Sequence, residues 1–343
     1  MRADKIRKNL NTNECYYISG YPNIFYYSGF KSEDARLIIT EKENILLTDS
    51  RYTIQAREQA PDFTVMDIAD TEIFSKLNAK AVGFEEGSLT VKELARINKG
   101  GVKVFPAEKI ISAPRQVKES VEIEKIAMAE SLGDAAFKYI LGIIKAGMTE
   151  WEIAFELEMF MRKNGAEKLS FESIAASGVR SAMPHGTASD KVIEKGELLT
   201  LDFGCVLDGY CSDMTRTVAI GNIGERERLI YSTVLHAQKT ACEKIKVGMR
   251  ASDADAVARD IIKEAGFGEN FGHSLGHSVG IEIHETPNLS PKSEAILVSG
   301  NVVTIEPGIY IDGFGGVRIE DLVVLGEKNT VNLTKSEKEL IIL

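Results

Sequence analysis

The apolar residues in the first third of the chain form short runs, rich in branched side chains, that alternate with segments of helical periodicity. Short branched runs are typical of buried strands, and apolar residues three and four positions apart are typical of amphipathic helices. The pattern therefore predicts a small α/β domain. Its predicted strands cover residues 37–40, 45–48 and 81–84, and its predicted helices cover residues 51–59 and 91–98.

A break in this pattern follows at residues 112–119, which contain Pro114. Proline disfavours helix in the residue before it, and a long helical pattern begins only near residue 121 and continues to about residue 145. We therefore predict a domain boundary in this stretch. The first domain is assigned to residues 1–115 and the second to residues 116–343.

The second domain contains an internal repeat. The sequence Ile-Lys-Ala-Gly-Met at residues 144–148 recurs as Ile-Lys-Val-Gly-Met at residues 245–249, and Gly165 recurs as Gly266 at the same spacing. Two similar halves are therefore predicted, and a binding site is expected between them.

Each copy of the repeat predicts a helix that starts after the Gly-Met turn and ends at the repeated glycine. In the first copy, Thr149 and Glu152 have the spacing of a capping box. In the second copy, Ser252 or Asp253 is the predicted cap.

A β-hairpin is predicted over residues 198–220, with an Asp-Gly turn at residues 208–209. With a two-residue turn, Asp202 faces Thr215, and Asp213 is the diagonal neighbour of Asp202 on the same face. Both carboxylates can then reach a common ion. For the hairpin alone, the alternative interpretation is that one of these two aspartates is a turn residue and the other a surface charge. The strand around Asp202 is too apolar for a solvent-exposed strand, however, and a buried carboxylate needs a cation or hydrogen-bond donors.

Five side chains of the second domain are of types that bind divalent cations. Four are carboxylates and one is an imidazole, so together they carry about four negative charges, which matches two divalent cations. The set predicts a dinuclear hydrolytic site. Its members are Asp202, Asp213, His277, Glu306 and Glu320.

Arg318 is predicted to support this site. Strand alternation puts Arg318 and Glu320 on the same face, so the guanidinium can orient an acidic ligand. A surface ion pair remains an alternative interpretation for Arg318.

The chain has five histidines, and three besides His277 lie near the candidate ligands or in similar glycine-flanked or proline-flanked settings. They are His185, His273 and His284, whereas His236 lies on a helical pattern. A single histidine is more often a packing residue than a ligand. Clustered beside carboxylates, these three favour ligation and proton transfer.

Composition narrows the possible partners and compartment. The formal net charge is -10 and no long Lys/Arg run occurs, so a nucleic-acid partner is not expected. The charged first residues are followed by no continuous apolar segment, which predicts neither a signal peptide nor a membrane anchor. The four cysteines lack Cys-x-x-Cys spacing and are predicted to be reduced thiols. The protein is expected to be cytoplasmic.

The motifs that contain the five candidate ligands, taken in order with the Gly-Met repeat, resemble those of the pita-bread metallopeptidases, which include methionine aminopeptidase, aminopeptidase P and prolidase. The resemblance covers nearly the whole chain. Residues 23–30 and 48–52 resemble the N-terminal domain of the proline-specific members and of creatinase, a domain that methionine aminopeptidase usually lacks. The Xaa-Pro branch therefore fits better.

The resemblance implies an α/β N-terminal domain, then an α+β pita-bread catalytic domain with a pseudo-two-fold repeat, in a homodimer. It implies that the five ligands hold two metal ions, with Asp213 and Glu320 bridging. Mn²⁺ is the expected metal, and Co²⁺, Zn²⁺ or Fe²⁺ also fit an oxygen-rich site with one imidazole.

The resemblance also implies roles around the metals. Water activated between the ions would attack the scissile carbonyl, and Glu306 would take its proton. His284 would stabilise the oxyanion and His185 would position the peptide or leaving group. His273 matches a further active-site histidine, and Thr215 and Arg318 adjoin the ligands.

The length of peptide that the enzyme accepts depends on whether the site can bind the C-terminal carboxylate of a dipeptide. A dipeptidase must neutralise the carboxylate of a C-terminal proline, which requires a well-placed Arg or Lys. Residues 285–290 offer none, and only Arg318 lies nearby in sequence. Aminopeptidase P-like cleavage of longer peptides with proline second is therefore the expected activity. An Xaa-Pro dipeptidase (prolidase) is the alternative, with the missing cation supplied by the N-terminal domain or a partner subunit.

Two other classes remain open. A creatinase-like hydrolase shares the two-domain plan but works without metal, and its counterpart positions do not supply these five ligands. A non-catalytic binding protein with the pita-bread fold would have no need of them.

Overall fold

The computed structural model describes residues 1–99 and 101–343. The described chain divides into two compact units, Met1–Arg115 and Gln116–Leu343. Buried hydrophobic clusters lie within each unit. Among the described residues, no helix is both long enough and apolar enough to cross a membrane.

The first unit is built on a six-stranded mixed sheet. Its strands are β1 (Glu14–Ile18), β2 (Ala35–Thr40), β3 (Asn44–Thr48), β4 (Thr64–Asp67), β5 (Ala81–Phe84) and β6 (Lys103–Pro106). They lie in the order β4-β3-β2-β1-β5-β6. The β1–β2 and β2–β3 pairs are antiparallel and the three outer pairs are parallel.

Short helices precede, connect and follow these strands. They are α1 (Asp4–Arg7), α2 (Tyr21–Ser28), α3 (Thr53–Gln59), α4 (Ile73–Lys76), α5 (Val91–Lys99) and α6 (Glu108–Ser112), followed by a 3-10 turn at Ala113–Arg115. The predicted strands correspond to β2, β3 and β5, and the predicted helices to α3 and α5. The prediction of a small α/β domain is thus confirmed, although β1, β4 and β6 were missed.

The second unit contains long helices arranged as two helix pairs. They are α7 (Ser120–Leu141) and α8 (Glu150–Lys163) in its first half, and α9 (Glu225–Lys244) and α10 (Ala251–Glu264) in its second half. The predicted extension of α7 to residue 145 is wrong. Gly142 ends the helix, and Gly147 has a φ of 98° that a right-handed helix does not allow.

The internal repeat is a structural repeat as well. Gly147 donates its backbone N–H to Ile193, and Gly248 donates its backbone N–H to Leu297 in the same way. Gly165 and Gly266, which follow α8 and α10, both have positive φ angles. These equivalent turns give α8 and α10 the same length and the same start relative to the Gly-Met motif.

The two copies differ in their caps. Thr149 and Glu152 form the predicted capping box of α8, in which each side chain bonds the other residue's backbone N–H. The predicted cap of α10 at Ser252 or Asp253 is wrong, because Arg250 occupies the N-cap position without a side-chain hydrogen bond. The backbone N–H of Ser252 instead bonds the carbonyl of Ser293, so a neighbouring segment satisfies this helix end.

Short strands that follow each helix pair form four sheets in the second unit. The strands of the first half are β7 (Lys168–Leu169), β8 (Ile174–Ser177), β9 (Glu197–Phe203), β10 (Cys205–Leu207), β11 (Tyr210–Cys211) and β12 (Met214–Ile220). Those of the second half are β13 (Gly276–Ser278), β14 (Glu285–Leu289), β15 (Val302–Ile305), β16 (Gly308–Ile311), β17 (Gly315–Arg318), β18 (Asp321–Leu325) and β19 (Thr330–Asn332). The sheet orders are β11-β10-β7, β12-β9-β8, β14-β13-β15-β18-β19 and β16-β17.

The predicted hairpin has the predicted register. Leu207 pairs with Tyr210 across a turn in which Asp208 and Gly209 both have positive φ, and Asp202 pairs with Thr215. The hairpin is interrupted at Gly204, where a Cβ atom would lie 2.0 Å from the carbonyl oxygen of Ser212. The interruption separates β9 from β10, so the two ends of the hairpin belong to different sheets.

Each half of the second unit has its own buried hydrophobic cluster. Leu157 of α8 packs into the first cluster with β9 and β12, and Ile262 of α10 packs into the second with β15 and β18. Because both clusters lie behind the strands that carry polar side chains, these strands are held rigidly at their backs.

Candidate metal centre

The first half contributes two carboxylates through the hairpin. Asp202 lies near the end of β9, and Asp213 lies just before β12, where the strand is interrupted. The backbone N–H of Asp213 donates to Oε2 of Glu130 on α7, at 3.2 Å. Register and this contact direct both carboxylates to the same region, as the hairpin geometry predicts.

The second half contributes its three candidate ligands from different strands. His277 lies within β13, Glu306 directly follows β15, and Glu320 lies between β17 and β18. The backbone N–H of Glu306 bonds the carbonyl of Leu275, and that of Glu320 bonds the carbonyl of Thr215. Backbone pairing therefore fixes the main-chain positions from which these three side chains extend.

The candidate ligands from the two halves lie together. His277 Nε2 is 3.5 Å from Oδ2 of Asp213 and 3.4 Å from Oε1 of Glu306. One potential donor atom from each of Asp213, His277 and Glu320 lies within 4.8 Å of the others. Asp202 lines the same cavity as these four.

The proton on His277 can be placed from its contacts. Burial, followed by the proximity of His284, lowers the pKa of His277 to about 4, so the ring is neutral at pH 7. Its Nδ1 lies 3.2 Å from the carbonyl oxygen of Ser278, an arrangement that requires Nδ1–H to donate. The lone pair of Nε2 then faces the carboxylates of Asp213 and Glu306. The lone pair and the carboxylates repel one another unless a cation lies between them.

The carboxylates also repel one another. Burial, then the proximity of Glu320, Asp202 and Glu306, raises the pKa of Asp213 well above its ordinary value. Burial and the neighbouring carboxylates raise the pKa of Glu320 in the same direction. Burial raises the pKa of Glu306 to about 8, with Arg318 opposing and Asp202 adding to the rise. A divalent cation would remove this repulsion.

The residues fit divalent cations in a second respect. Oδ1 of Asp202 is buried and has no hydrogen-bond partner among the described residues, although buried carboxylate oxygens are normally satisfied. Carboxylate oxygens with one imidazole form a ligand set suited to divalent first-row metals. These five side chains would therefore hold the ions.

Arg318 organises one wall of the site. Its Nη2 donates to Oδ2 of Asp202 at 2.6 Å and its Nε donates to Oγ1 of Thr215 at 3.1 Å. Its Nη1 donates to the hydroxyl of Tyr310 at 2.8 Å and to the carbonyl of Pro184 at 3.1 Å. The predicted support of an acidic ligand is present in this geometry, and the alternative of a surface ion pair does not fit a residue that is 3% exposed.

Thr215 connects the two halves directly. Its hydroxyl donates to Oε2 of Glu320 at 2.7 Å and accepts from Arg318. It thereby holds a carboxylate of the second half from a strand of the first half.

His273 uses both ring nitrogens within the protein. Burial, with Arg318 as the next cause, lowers its pKa to about 4, so the ring is neutral. Its Nδ1 is 2.8 Å from the carbonyl oxygen of Ser274 and must donate, which leaves Nε2 to accept from the hydroxyl of Tyr310 at 2.9 Å. This ring therefore has no nitrogen free for a ligand or a proton.

His185 and His284 are placed differently. The His284 ring lies 4.4 Å from that of His277, edge to face, and His185 is exposed at the cavity on the segment between β8 and β9. Among the described residues, the imidazole of His185 has no hydrogen-bond partner. His236 lies on α9 and does not line the cavity.

The cavity over these groups has a volume of about 490 Å³. Its walls combine the ionisable cluster with apolar side chains and a few neutral polar ones, as in most small-molecule sites. The walls comprise Phe171, Glu172, Ile174, Pro184, His185, Thr187, Asp202, Asp213, His273, Ser274, Gly276, His277, Ile283, His284, Asn288, Glu306, Arg318 and Glu320.

Sequence reasoning missed several residues behind the site. Tyr310 joins Arg318 to His273, and Glu130 holds the backbone of Asp213 and accepts from the hydroxyl of Thr334 at 2.5 Å. Glu130 lies far from the ligand motifs in sequence, so only the folded chain reveals its contact. Tyr310 follows the Glu-Pro-Gly motif closely, and that proximity was the one available signal.

Arg216 bonds the backbone of the candidate site, at the carbonyls of Thr215 and Glu320. It is 1% exposed, and each of its guanidinium nitrogens donates, so that the planar group is fully bonded. Its acceptors are the carboxylate of Asp321 and the backbone carbonyls of Thr215, Glu320, Ser336 and Glu337.

The fold and this cluster define a two-domain protein with a candidate dinuclear metal centre between two similar halves. Residues 124–327 match the family model for metallopeptidase family M24, and residues 2–117 match that for the creatinase/prolidase N-terminal domain. The chain belongs to metallopeptidase family M24. It combines the creatinase/prolidase type of N-terminal domain with the pita-bread catalytic domain, so the predicted fold class and family are confirmed.

Similar proteins extend over nearly the whole chain. An Xaa-Pro dipeptidase of Pyrococcus furiosus is 40% identical, covering 99% of each chain. Among solved structures, an Xaa-Pro dipeptidase from Bacillus anthracis has a TM-score of 0.97 at 40% identity, covering 100% of this chain and 99% of the other. An X-Pro aminopeptidase from Thermotoga maritima has a TM-score of 0.92 at 38% identity, covering 98% and 99%. The chain is a metallopeptidase hydrolase.

Proposed function

We propose that this protein is an Xaa-Pro dipeptidase, or prolidase, that hydrolyses peptides with proline at the second position. The observation that carries the proposal is the arrangement of the five ligand-type side chains around one cavity in a chain similar over its length to Xaa-Pro dipeptidases. The sequence favoured aminopeptidase P-like cleavage with prolidase as the alternative. The relatives support the alternative better, because more of those described as Xaa-Pro enzymes are dipeptidases or prolidases.

In this proposal the metal ligands are Asp202, Asp213, His277, Glu306 and Glu320. Two divalent cations bound to them would lower the pKa of a water and polarise the scissile carbonyl. Mn²⁺ is the proposed metal, since hard oxygen ligands dominate the set, and Co²⁺, Zn²⁺ or Fe²⁺ suit the same donors.

The protein's own groups then handle protons and charge. Glu306 takes the proton of the attacking water, because its carboxylate lies within the ligand cluster, with Oε1 3.4 Å from Nε2 of His277. His284, beside His277, donates to the developing oxyanion. His185, exposed at the cavity, positions the peptide or the leaving proline nitrogen.

The proposed role of His273 is to orient its neighbours. Its two ring nitrogens are bonded to Ser274 and Tyr310, and Tyr310 in turn accepts from Arg318. His273 thus holds the guanidinium that bonds Asp202 rather than exchanging protons with substrate.

Aminopeptidase P-like activity remains the second candidate because of one observation. Arg318 is the only Arg or Lys among the described residues that line the cavity, and its donors are directed to Asp202, Thr215, Tyr310 and Pro184. A cation that could clamp the carboxylate of a C-terminal proline is therefore not found in this lining. A longer peptide, which has no carboxylate at that position, needs no such clamp.

The wider setting is also proposed. Residues 1–115 form the N-terminal domain and residues 116–343 the catalytic domain, in line with the two compact units. The proposed protein is a cytoplasmic homodimer. Its proposed partners are peptides, and it is proposed to bind neither nucleic acid nor membrane. The described cysteines are all free, which favours a reducing compartment.

The deciding experiment compares substrates of two lengths. The purified protein is loaded with Mn²⁺, and initial rates are measured on Ala-Pro and Ala-Pro-Ala, with Ala-Ala as a control lacking proline. A preference for Ala-Pro supports the dipeptidase. Faster cleavage of Ala-Pro-Ala establishes the aminopeptidase P-like candidate, and no cleavage of either proline peptide rejects both.

A further inference from the structure

One buried carboxylate near the metal centre has no role in the proposed chemistry. Glu150 is the first residue of α8, and it is 0% exposed. A carboxylate this deeply buried is costly unless several donors compensate it. Its partners therefore indicate what it does.

Glu150 accepts hydrogen bonds from two separate serines. Oε1 accepts from the backbone N–H and the hydroxyl of Ser177, at 2.7 and 2.9 Å. Oε2 accepts from the backbone N–H and the hydroxyl of Ser189, at 3.2 and 2.7 Å. One carboxylate thus joins two points of the chain that are twelve residues apart.

These points are the two ends of one chain segment. Ser177 is the last residue of β8, and Ser189 precedes the turn that leads towards β9. The segment between them, residues 178–188, carries Pro184 and His185 into the cavity wall. We call this segment the His185 loop.

Arg180 adds a bond across the loop. Its Nε donates to Oε2 of Glu150 at 2.9 Å, and its Nη2 donates to the carbonyl of Thr187 at 2.6 Å. The guanidinium thereby ties the middle of the loop to the carboxylate that holds its ends. Charge-assisted bonds of this kind are stronger and shorter than those between neutral groups.

The loop needs such an anchor because the imidazole of His185 has none of its own. Among residues 1–99 and 101–343, no hydrogen bond to this ring is found, and the residue is exposed. Its position is consequently set by the backbone of the loop. That backbone is held by Glu150 at its ends and by Arg318 at the carbonyl of Pro184.

We propose that Glu150 is a positioning residue for His185, acting through the bonds that close the His185 loop. This inference rests on the proposed function, which gives His185 its role at the substrate. Glu150 itself does not line the cavity and touches neither the substrate space nor the metal ligands.

The second half provides a matched control. Asp255 of α10 is 1% exposed and accepts from Nε and Nη2 of Arg259 and from the backbone N–H of Leu275. Arg259 in turn donates to the carbonyl of His273 at 2.7 Å. A buried acid and an arginine therefore hold the segment that carries His273, independently of Glu150.

The first test measures amide hydrogen exchange of the metal-loaded protein by mass spectrometry and needs no turnover. Glu150→Gln replaces one acceptor oxygen with a donor that opposes the existing donors. We expect exchange in residues 178–189 to rise about tenfold while residues 267–275 stay unchanged. Asp255→Asn should give the reverse pattern. Unchanged exchange in 178–189, or an equal rise in both segments, overturns the proposal.

The second test is a double-mutant cycle that measures kcat/KM for whichever of Ala-Pro and Ala-Pro-Ala the wild-type protein cleaves faster. Glu150→Gln should lower it about tenfold in the wild-type background and in His273→Ala, but less than about twofold in His185→Ala. An equal loss in all three backgrounds would show a general structural effect and overturn the role in positioning His185.

The two tests separate two kinds of failure. If the wild-type protein cleaves no proline peptide, the proposed function fails, while hydrogen exchange still decides whether Glu150 closes the loop. If Glu150→Gln does not fold, Ser189→Ala removes one of the bonds to Glu150, together with the bond that the Ser189 hydroxyl accepts from the backbone N–H of Lys191, and should raise exchange in the loop by about threefold. No increase in that folded variant overturns the proposal equally.

Discussion

The two halves of the catalytic domain share a scaffold but contribute differently to the site. Helices α8 and α10 start after the same Gly-Met motif and end at equivalent glycines. The first half then supplies two carboxylates from one hairpin, whereas the second supplies three candidate ligands from within or beside separate strands. The repeat therefore duplicates the helices and turns, whereas the candidate ligands come from strands that differ between the two halves.

The histidines show the same difference. His273 of the second half is buried, with both ring nitrogens bonded, whereas His185 of the first half is exposed, with its loop held by Glu150. One ring is a fixed part of the wall and the other faces the substrate space. Similar folds thus give these two histidines different expected functions.

The largest expected effect is that of removing the proposed metal ions, for which both halves supply candidate ligands. Exhaustive chelation should abolish cleavage of the proline peptides, and added Mn²⁺ should restore it. Metal content by elemental analysis and initial rates are measured on the same samples. Full activity after the metal is gone would point to the metal-free, creatinase-like class.

Replacing one ligand in each half comes next. Asp202→Asn and Glu306→Gln should each lower kcat about a thousandfold, since each removes a ligand charge and Glu306→Gln also removes the base. Circular dichroism should show an intact fold in both. The exposed Asp260→Asn on α10 is the control and should retain full activity. If Asp202→Asn were as active as the control, Asp202 would not be a required ligand, and Asp213 would be the remaining candidate ligand from the first half.

The histidines should separate activity from stability. His185→Ala should lower kcat/KM by about tenfold to a hundredfold and leave the melting temperature unchanged, because its ring makes no hydrogen bond to any residue of the described ranges 1–99 and 101–343. His273→Ala should lower the melting temperature by about 3–6 °C, because the hydroxyl of Tyr310 loses its acceptor in a buried site. Equal melting temperatures for the two variants would contradict the assignment of one histidine to the wall.

The smallest effect concerns the pH dependence of the metal-free protein. Glu306 has a pKa of about 8, raised mainly by burial, against an ordinary value of 4.5. The folded state then binds more protons than the unfolded state between these values, so stability falls as pH rises from about 4.5 to about 8. The lowered pKa values of His273 and His277 act in the opposite direction below about pH 6.5, so the contribution of Glu306 is measured as a difference between proteins. Between pH 5.5 and pH 8, the melting temperature of the metal-free wild type should fall by roughly 5 °C relative to that of Glu306→Gln.

The control for this pH effect is Glu306→Gln, also without metal. This variant has no carboxyl group to titrate at residue 306, so the part of the pH dependence that Glu306 causes should be absent from its melting temperature over the same interval. A slope identical to that of wild type would assign the effect to other groups.

The sequence predicted those parts of the molecule that depend on local rules. The register of the hairpin follows from an Asp-Gly turn and the two-residue period of strands, and the cap of α8 follows from the spacing of Thr149 and Glu152. The five ligand-type residues were recognisable because each lies in a short motif, and the structure brings them to one cavity.

Contacts between distant segments could not be predicted in this way. Glu130, Glu150 and Tyr310 act through partners that only tertiary packing brings near, and nothing in their flanking residues indicates those partners. The cap of α10 failed for a related reason, because the segment containing Ser293 satisfies the helix end in place of a local side chain.

Arg216 has a consequence for the evolution and engineering of this site. Its planar guanidinium meets acceptors from the carboxylate of Asp321 and four backbone carbonyls, and a lysine, with three donors on one nitrogen, cannot satisfy them all. Backbone acceptors cannot be changed by compensating substitutions. A library randomised across β12 should therefore return arginine at residue 216 wherever the metal centre survives, which makes this position a marker of functional descent rather than of substrate choice.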